Sequence, residues 1–381
     1  MRAKKGRMIN ILFVFGTRPE AIKLAPVVKK LLMNNAFRVT VCVTSQHREM
    51  LDQVLEFFNI RPDFDLRIMK EDQDLFDITT RTLNGIREVI LSSRPDWLVV
   101  QGDTTTTFAG ALAAFYEKVK VAHIEAGLRS FDRHSPFPEE TNRVLTTHLT
   151  DLHFAPTETA RNNLLNEGVP EDMVFVVGNT SIDALFFCLK LAESKGRNDF
   201  PSLKAVNFDK RVVLVTGHRR ESFGKPLENI CKALKVIALG KDVEIVFPVH
   251  LNPNVRRPVF NILKGVPNLH LIEPLDYLAF VWLLKMSYLV LSDSGGVQEE
   301  APSLGKPVLV MRDVTERVEG IEAGTAVLVG TDKDRIVSET QKLLGSRTEY
   351  EKISEAVNPY GDGMASERIE SILLKLSGGS G

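Results

Sequence analysis

The sequence predicts two consecutive doubly wound α/β domains, each built on a parallel sheet. Three observations carry this. Short Val/Ile/Leu-rich runs without polar alternation recur along the chain, as expected of strands buried on both faces. Longer segments of helical period separate them, which is the pattern of parallel βαβ units. The series of runs ends, and then restarts near residue 211. At 381 residues the chain also exceeds the size at which a single core stops growing.

In order, the first half offers the strands "INILFVF", "RVTVCVT", "DWLVVQ", "KVAHIE" and "LHFAP". The second offers "RVVLVTG", "VEIVFPV", "LHLIEP", "YLVLSDS", "KPVLVM" and "AVLVG". Between the halves lies a helical stretch, "NTSIDALFFCLKLAESKG", followed by the irregular "RNDFPSLKAVNFDK". The boundary is therefore expected at 180 to 210, giving domains of 8–180 and 181–361. The closing helix, 364–376, is assigned to the first domain, and 377–381, ending "SGGSG", reads as a linker outside the fold.

Lys plus Arg number 48 and Asp plus Glu 49, a net charge of −1, so neither bulk nucleic-acid binding nor an acidic membrane surface is indicated. No apolar run reaches the roughly 18 residues that span a bilayer, and the N-terminus lacks a signal-peptide pattern. A cytoplasmic protein is expected. Cys42, Cys188 and Cys231 lie far apart in apolar surroundings, neither a disulfide framework nor a metal spacing, so no metal centre is expected. No Gly-x-Gly-x-x-Gly opens either half, which argues against a dinucleotide cofactor. No cofactor is predicted.

In open parallel sheets ligands sit outside the carboxyl ends of the strands, and five such positions are chemically loaded. In "GTRPEAIK", Arg18 and Lys23 can both reach an anion at a helix start. In "QGDTTTT", Asp103 follows a buried strand and is either a helix cap or a chemical group. The long loop "HIEAGLRSFDRHSPFPEETNR" carries Glu125 at a strand tip and Glu139 and Glu140 at a helix start, one of which serves the helix dipole. "TGHRRESFGK" sets His218, Arg219 and Arg220 in a row, and His250, Arg312, Glu316 and Arg317 follow later strands. A positive rim on the second half is expected. Finally, in "SDSGGVQEE" the turn Ser294–Gly295–Gly296 would offer N–H groups to a phosphate, and Glu300 would accept from ribose hydroxyls. Phosphate plus ribose means a nucleotide, and acids on one half with nucleotide-binding groups on the other imply a substrate in the cleft between them.

The motifs "VFGTRPEAIKLAP", "CVTSQHREMLDQVL", "GDTTTTFA", "EAGLR", "FPEETNR", "VTGHRRESFG", "PVHLNPNV" and "SDSGGVQEEAPSLGKPVLVMRDVTER" together resemble the non-hydrolysing bacterial UDP-N-acetylglucosamine 2-epimerases. The similarity runs over about residues 8 to 375. It implies two Rossmann-like domains of the glycosyltransferase-B type, a homodimer, and reversible C2 epimerisation of UDP-GlcNAc to UDP-ManNAc without a cofactor, supplying ManNAc for cell-surface polysaccharide. By motif it places the acid/base set at Asp103, Glu125, Glu139 and His218. The UDP site falls on Arg18, Lys23, Phe280, Ser294, Gly295, Gly296, Glu300 and Arg317. A regulatory UDP-GlcNAc would touch Gln46, His47, Arg67, Arg219 and His250. Two positions depart from the pattern: Val318 stands where relatives often have Pro, which is expected to loosen the loop of Arg317, and Leu275 where many have Gln. A glycosyltransferase using a UDP-sugar and the hydrolysing epimerase remain the alternatives.

Overall fold

A computed structural model describes residues 7–45, 48–70 and 73–378. The chain divides into two compact units, one made of the residues up to Ala184 together with those from Gly361 onward, the other of Leu185–Tyr360.

The first unit holds seven parallel strands: β1 (Ile9–Phe15), β2 (Phe37–Val43), β3 (Phe64–Asp65), β4 (Trp97–Gln101), β5 (Lys120–Ile124), β6 (Leu152–Ala155) and β7 (Val174–Val176). Their order is β3-β2-β1-β4-β5-β6-β7. Five of these were legible as apolar runs. The edge strands β3 and β7 were not, because two and three residues make no run. The core packs Leu12, Val14, Leu98 and Val100 against Ile86, Val89 and Ile90 of the helix Leu75–Ser93 and against the small residues Ala111, Ala113 and Ala114 of the helix Thr105–Tyr116. Leu98 is fully buried, so Leu98→Ala costs roughly 2–5 kcal/mol.

The last helix, Ala365–Gly378, completes this unit. The buried Asp183 carboxylate accepts from the amides of Ala365 and Ser366 at 3.2 and 2.7 Å and so caps it. Lys30 reaches Glu367 at 3.1 Å and Asn34 reaches Glu370 at 2.8 Å, tying the helix to Arg18–Leu32.

The second unit holds six parallel strands: β8 (Arg211–Thr216), β9 (Val243–Pro248), β10 (Leu269–Ile272), β11 (Leu289–Ser292), β12 (Val308–Val310) and β13 (Ala326–Leu328), ordered β10-β9-β8-β11-β12-β13. All six match apolar runs of the sequence. Each face of the sheet buries its own cluster, one around Phe247, Leu234 and Leu291, the other around Leu214, Leu283 and Val308.

In both sheets the connections reverse direction at one point, between β1 and β4 and between β8 and β11. Loops leave in opposite directions there and open a crevice beyond the strand ends, the usual ligand position of this architecture. Arg18 and Asp103 follow β1 and β4, and His218 and Ser294 follow β8 and β11. Among the described residues no helix is long and apolar enough to cross a membrane.

Candidate active site

In the first unit, Gly16 and Thr17 turn the chain from β1 into the helix Arg18–Leu32. A Cβ on Gly16 would fall 2.0 Å from Thr44 Oγ1, so only glycine lets this turn pass so close to the strand beside it. Arg18 is half-buried at the helix start and takes part in no hydrogen bond or ion pair among the described residues. Lys23 lies 2.6 and 2.7 Å from the two carboxylate oxygens of Glu125. Gln101 Nε2 donates to Glu125 Oε2 as well. Glu125 itself has φ +65°, a conformation a residue with a Cβ adopts only where its surroundings hold it, and which clusters at functional sites.

Asp103 is not the cap of the following helix. Thr104 is, accepting from the Thr107 amide at 3.2 Å, and Asp103 is left to pair with Arg143 at 2.6 Å. Arg143 also holds Glu140 at 2.9 Å. Burial would push the Glu140 carboxyl up, yet the amides of Ser130 and Phe131 and the Arg143 guanidinium together hold it below the usual range. Glu140 is thus the fastener of the loop. Its neighbour Glu139, first residue of the helix Glu139–Leu149, has one buried carboxylate oxygen without a hydrogen-bond partner. Beneath these tips His123 Nε2 meets the Gly102 carbonyl at 2.7 Å, and burial lowers the His123 pKa to about 4, keeping the ring neutral.

In the second unit the backbone amides of His218 and Arg219 both donate to Asp293 Oδ2 at 2.8 Å, and His218 Nδ1 lies 3.3 Å from Asp293 Oδ1. Burial would raise Asp293, but the His218 ring and these two amides hold it below the ordinary carboxylate range. The His218 side chain is 41% exposed and stacks on His250, ring centroids 5.7 Å apart. Burial, then the neighbouring His218, keeps His250 below its usual pKa. At the end of β11, Ser294 donates its amide to Ser292 Oγ at 2.9 Å, and Ser292 Oγ meets Thr216 Oγ1 at 2.6 Å. The helix Gly295–Glu300 begins here. The Arg317 guanidinium lies over Gly295, 3.2 Å from where a Cβ would stand, and its Nε donates to Glu299 at 2.9 Å. Glu299 is therefore the arginine's partner, while Glu300 is buried one position on.

The loop of Arg317 is anchored despite Val318. Thr315 Oγ1 donates to Gln298 at 2.8 Å and accepts from the Arg317 amide at 3.1 Å. Arg312 is spent on Glu221 and Glu316, at 2.6 and 2.7 Å. It does not add to a positive rim, contrary to the expectation from its position after a strand. Burial would raise Glu316, but the Arg312 bond brings it down to about 2.

The family model for UDP-N-acetylglucosamine 2-epimerase matches residues 29–374. The UDP-N-acetylglucosamine 2-epimerase of Escherichia coli K12 is 55% identical over 365 residues, covering 95% of this chain and 97% of that protein. The chain belongs to the UDP-N-acetylglucosamine 2-epimerase family. The crystal structure of the Neisseria meningitidis UDP-GlcNAc 2-epimerase bound to UDP-GlcNAc superposes with a TM-score of 0.88 at 50% identity, covering 96% of this chain and all of that one (100%). A glycotransferase of kitacinnamycin, 14% identical with a TM-score of 0.63 over 96% of this chain and 99% of that one, shares the fold alone, which is of the glycosyltransferase-B type.

Within this epimerase fold, Asp103, Glu125 and Arg18 stand just after strands of the first unit, Lys23 within the helix Arg18–Leu32 and Glu139 at the start of the helix Glu139–Leu149, with Arg67 after the edge strand β3, where its amide and Nε bond to Asp65. His218, Arg219, His250, Ser294, Gly295, Gly296, Glu300 and Arg317 fall in the second unit, and so does Phe280, half-buried on the helix Tyr277–Met286, where it and Leu275 pack against the same core cluster. Gln46 and His47 lie outside the described residues. Three residues that hold the site were not singled out: Gln101, Arg143 and Asp293. Each stands within two residues of a chosen one or in the same motif, so adjacency was the available signal.

Proposed function

We propose that this chain catalyses the reversible C2 epimerisation of UDP-GlcNAc to UDP-ManNAc by eliminating UDP and adding it back, without releasing free sugar. The observation that carries the reading is a trio of carboxylates in the first unit, two just after strands and one at a helix start, each in a different setting. Glu125 is clamped by a lysine and a glutamine, Asp103 is paired with an arginine, and Glu139 keeps one buried oxygen unbonded.

The chemistry explains why such a set is needed. The C2 hydrogen of a sugar is only weakly acidic, so C2 must be activated first. Cleavage of the C1–O bond to UDP makes C1 electron-poor and acidifies the adjacent C–H. A carboxylate then takes that proton and leaves 2-acetamidoglucal. Return of a proton to the opposite face, with UDP re-adding at C1, inverts C2. Two faces require two proton carriers, each contributing about 10²- to 10⁴-fold, and Asp103, Glu125 and Glu139 supply them.

The departing diphosphate gathers negative charge, and preorganised donors aimed at it contribute roughly 3 kcal/mol each. Arg18, Lys23, His218, Arg317, the Ser294 hydroxyl and the amides of Gly295 and Gly296 take that role, the Ser294 amide being taken by Ser292 Oγ, with Glu300 and Phe280 holding the nucleoside. A second, regulatory UDP-GlcNAc at Gln46, His47, Arg67, Arg219 and His250 belongs to the same proposal. So do a cytoplasmic homodimer, for which the exposed Phe115 and Tyr116 are available, and a role in supplying ManNAc for surface polysaccharide.

The test is incubation with UDP-GlcNAc in heavy water without any acceptor. UDP-ManNAc carrying one deuterium at C2 is the expected product. Free ManNAc would mean hydrolysis, and recovery of unlabelled UDP-GlcNAc alone would refute the reading.

A further inference from the structure

Glu20 is 1% exposed, and its carboxylate joins its own turn to that of Thr104, 84 residues further along the chain. Oε2 accepts from the backbone amides of Gly16 and Thr17 at 3.1 and 2.8 Å. Oε1 accepts from the hydroxyl of Thr104 at 2.8 Å, and the Thr107 hydroxyl oxygen lies 3.4 Å away. The first turn delivers Arg18 and the second follows directly on Asp103. A second layer backs the link. Thr106 Oγ1 meets Thr44 Oγ1 at 3.2 Å, and Thr107 Oγ1 donates to the Gln101 carbonyl at 2.7 Å, so the threonine run "TTTT" is a set of fasteners. A Cβ on Gly16 would meet Thr44 Oγ1, so the first turn runs close against the end of the neighbouring strand.

We propose that Glu20 is a positioning residue that locks the turn bearing Arg18 to the turn bearing Asp103, so that the anion-holding and proton-moving groups keep a fixed mutual register. This rests on the epimerase reading above. Glu20 touches no substrate. It acts through the two turns, and a displacement of about 1 Å at such groups is enough to lower turnover about 10²-fold. The two donors on Oε2 are backbone amides that can only donate, whereas the partners of Oε1 are hydroxyls that can donate or accept. A glutamine placed with its carbonyl toward the amides therefore reproduces every bond, and an alanine reproduces none.

The test compares Glu20→Ala and Glu20→Gln with the unaltered protein in three measurements made per folded molecule: turnover of UDP-GlcNAc, calorimetric affinity for UDP, and amide hydrogen exchange by mass spectrometry. Expected for Glu20→Ala is turnover lowered about 10²-fold, UDP affinity lowered roughly tenfold, and faster exchange at 16–18 and 102–107 together, with the rest of the unit unchanged. Glu20→Gln should recover all three to within about fivefold, because its bonds are kept.

Wild-type turnover and exchange in Glu20→Ala would overturn the proposal. So would exchange that rises across the whole unit, since that marks a merely structural carboxylate, or that rises at one turn alone. If the unaltered protein itself shows no turnover, the epimerase reading fails, and the exchange pattern of the two turns still decides whether Glu20 couples them. Should Glu20→Ala not fold, Thr104→Val against Thr104→Ser reads the same link from its other end: loss of protection at 16–18 in the valine variant only is expected, and its absence overturns the link.

Discussion

Replacing Lys23 by methionine keeps the length of the side chain and removes its charge. In the structure the ammonium lies 2.6 Å from Glu125 Oε1 and 2.7 Å from Oε2, with the two side chains 17% and 6% exposed. Gln101 would be left as the neutral donor to the carboxylate. Removing one member of a buried ion pair costs about 3–5 kcal/mol, because the other charge is stranded out of water. For a unit of 150–250 residues each kcal/mol moves the thermal midpoint by about 2–4 °C, so the first unit of Lys23→Met should melt roughly 6–20 °C lower. The deficit should vanish largely in Lys23→Met/Glu125→Gln, where no buried charge remains, and a double-mutant cycle isolates that coupling. Both variants should fail to epimerise, which separates the stabilising role of the pair from its chemistry. A single variant melting within 2 °C of the parent, or a double variant no more stable than the single, would refute the reasoning.

Two further outcomes are expected. Burial lowers His123 to about 4 and His153 to about 3 from an ordinary 6.5; the unfolded chain therefore binds these protons first as the pH falls. The stability associated with each ring is complete above pH 6.5 and is lost as the pH falls from 6.5 to about 4 for His123 and to about 3 for His153, with a slope near 1.4 kcal/mol per pH unit for each ring. Urea unfolding across that window should show the slope reduced by one proton in His153→Gln, and an unchanged slope would refute the assignment. Gly295→Ala sets a methyl 3.2 Å from Arg317 Cζ and 3.3 Å from its Nε, which pushes the guanidinium aside by a few tenths of an ångström. Calorimetry should find UDP bound roughly tenfold more weakly, whereas parental affinity would show that Arg317 does not meet the nucleotide.

How far the sequence could be read depended on whether the signal was local. The buried strands announced themselves as runs such as "INILFVF" and "RVVLVTG", because a strand covered on both faces has no polar alternation to hide it. β3 and β7 were missed because an edge strand of two or three residues leaves no periodicity. Candidate residues at strand tips were legible for the same reason as the strands. Their partners were not. Lys23 and Arg18 read alike as cations near a helix start, and nothing in their spacing shows that one lies on Glu125, 102 residues away. Arg312 and Arg317 follow the same strand, yet the first is bound to Glu221, 91 residues back, while the second crosses Gly295. In sequence Glu20 is an acidic residue in a first helical turn, a place that the helix dipole alone accounts for. Only the fold shows that its carboxylate also reaches the threonines after Asp103.

Asp183 caps a helix that begins at Ala365, on the far side of the whole second unit in sequence. During synthesis, then, the carboxylate emerges from the ribosome long before the amides it will bind. The earlier-made unit must wait, with one flank of its helix Arg18–Leu32 uncovered, until the later-made one has been delivered. A chain stopped after Tyr360 would contain every group named in the proposed chemistry and still leave its first unit unfinished.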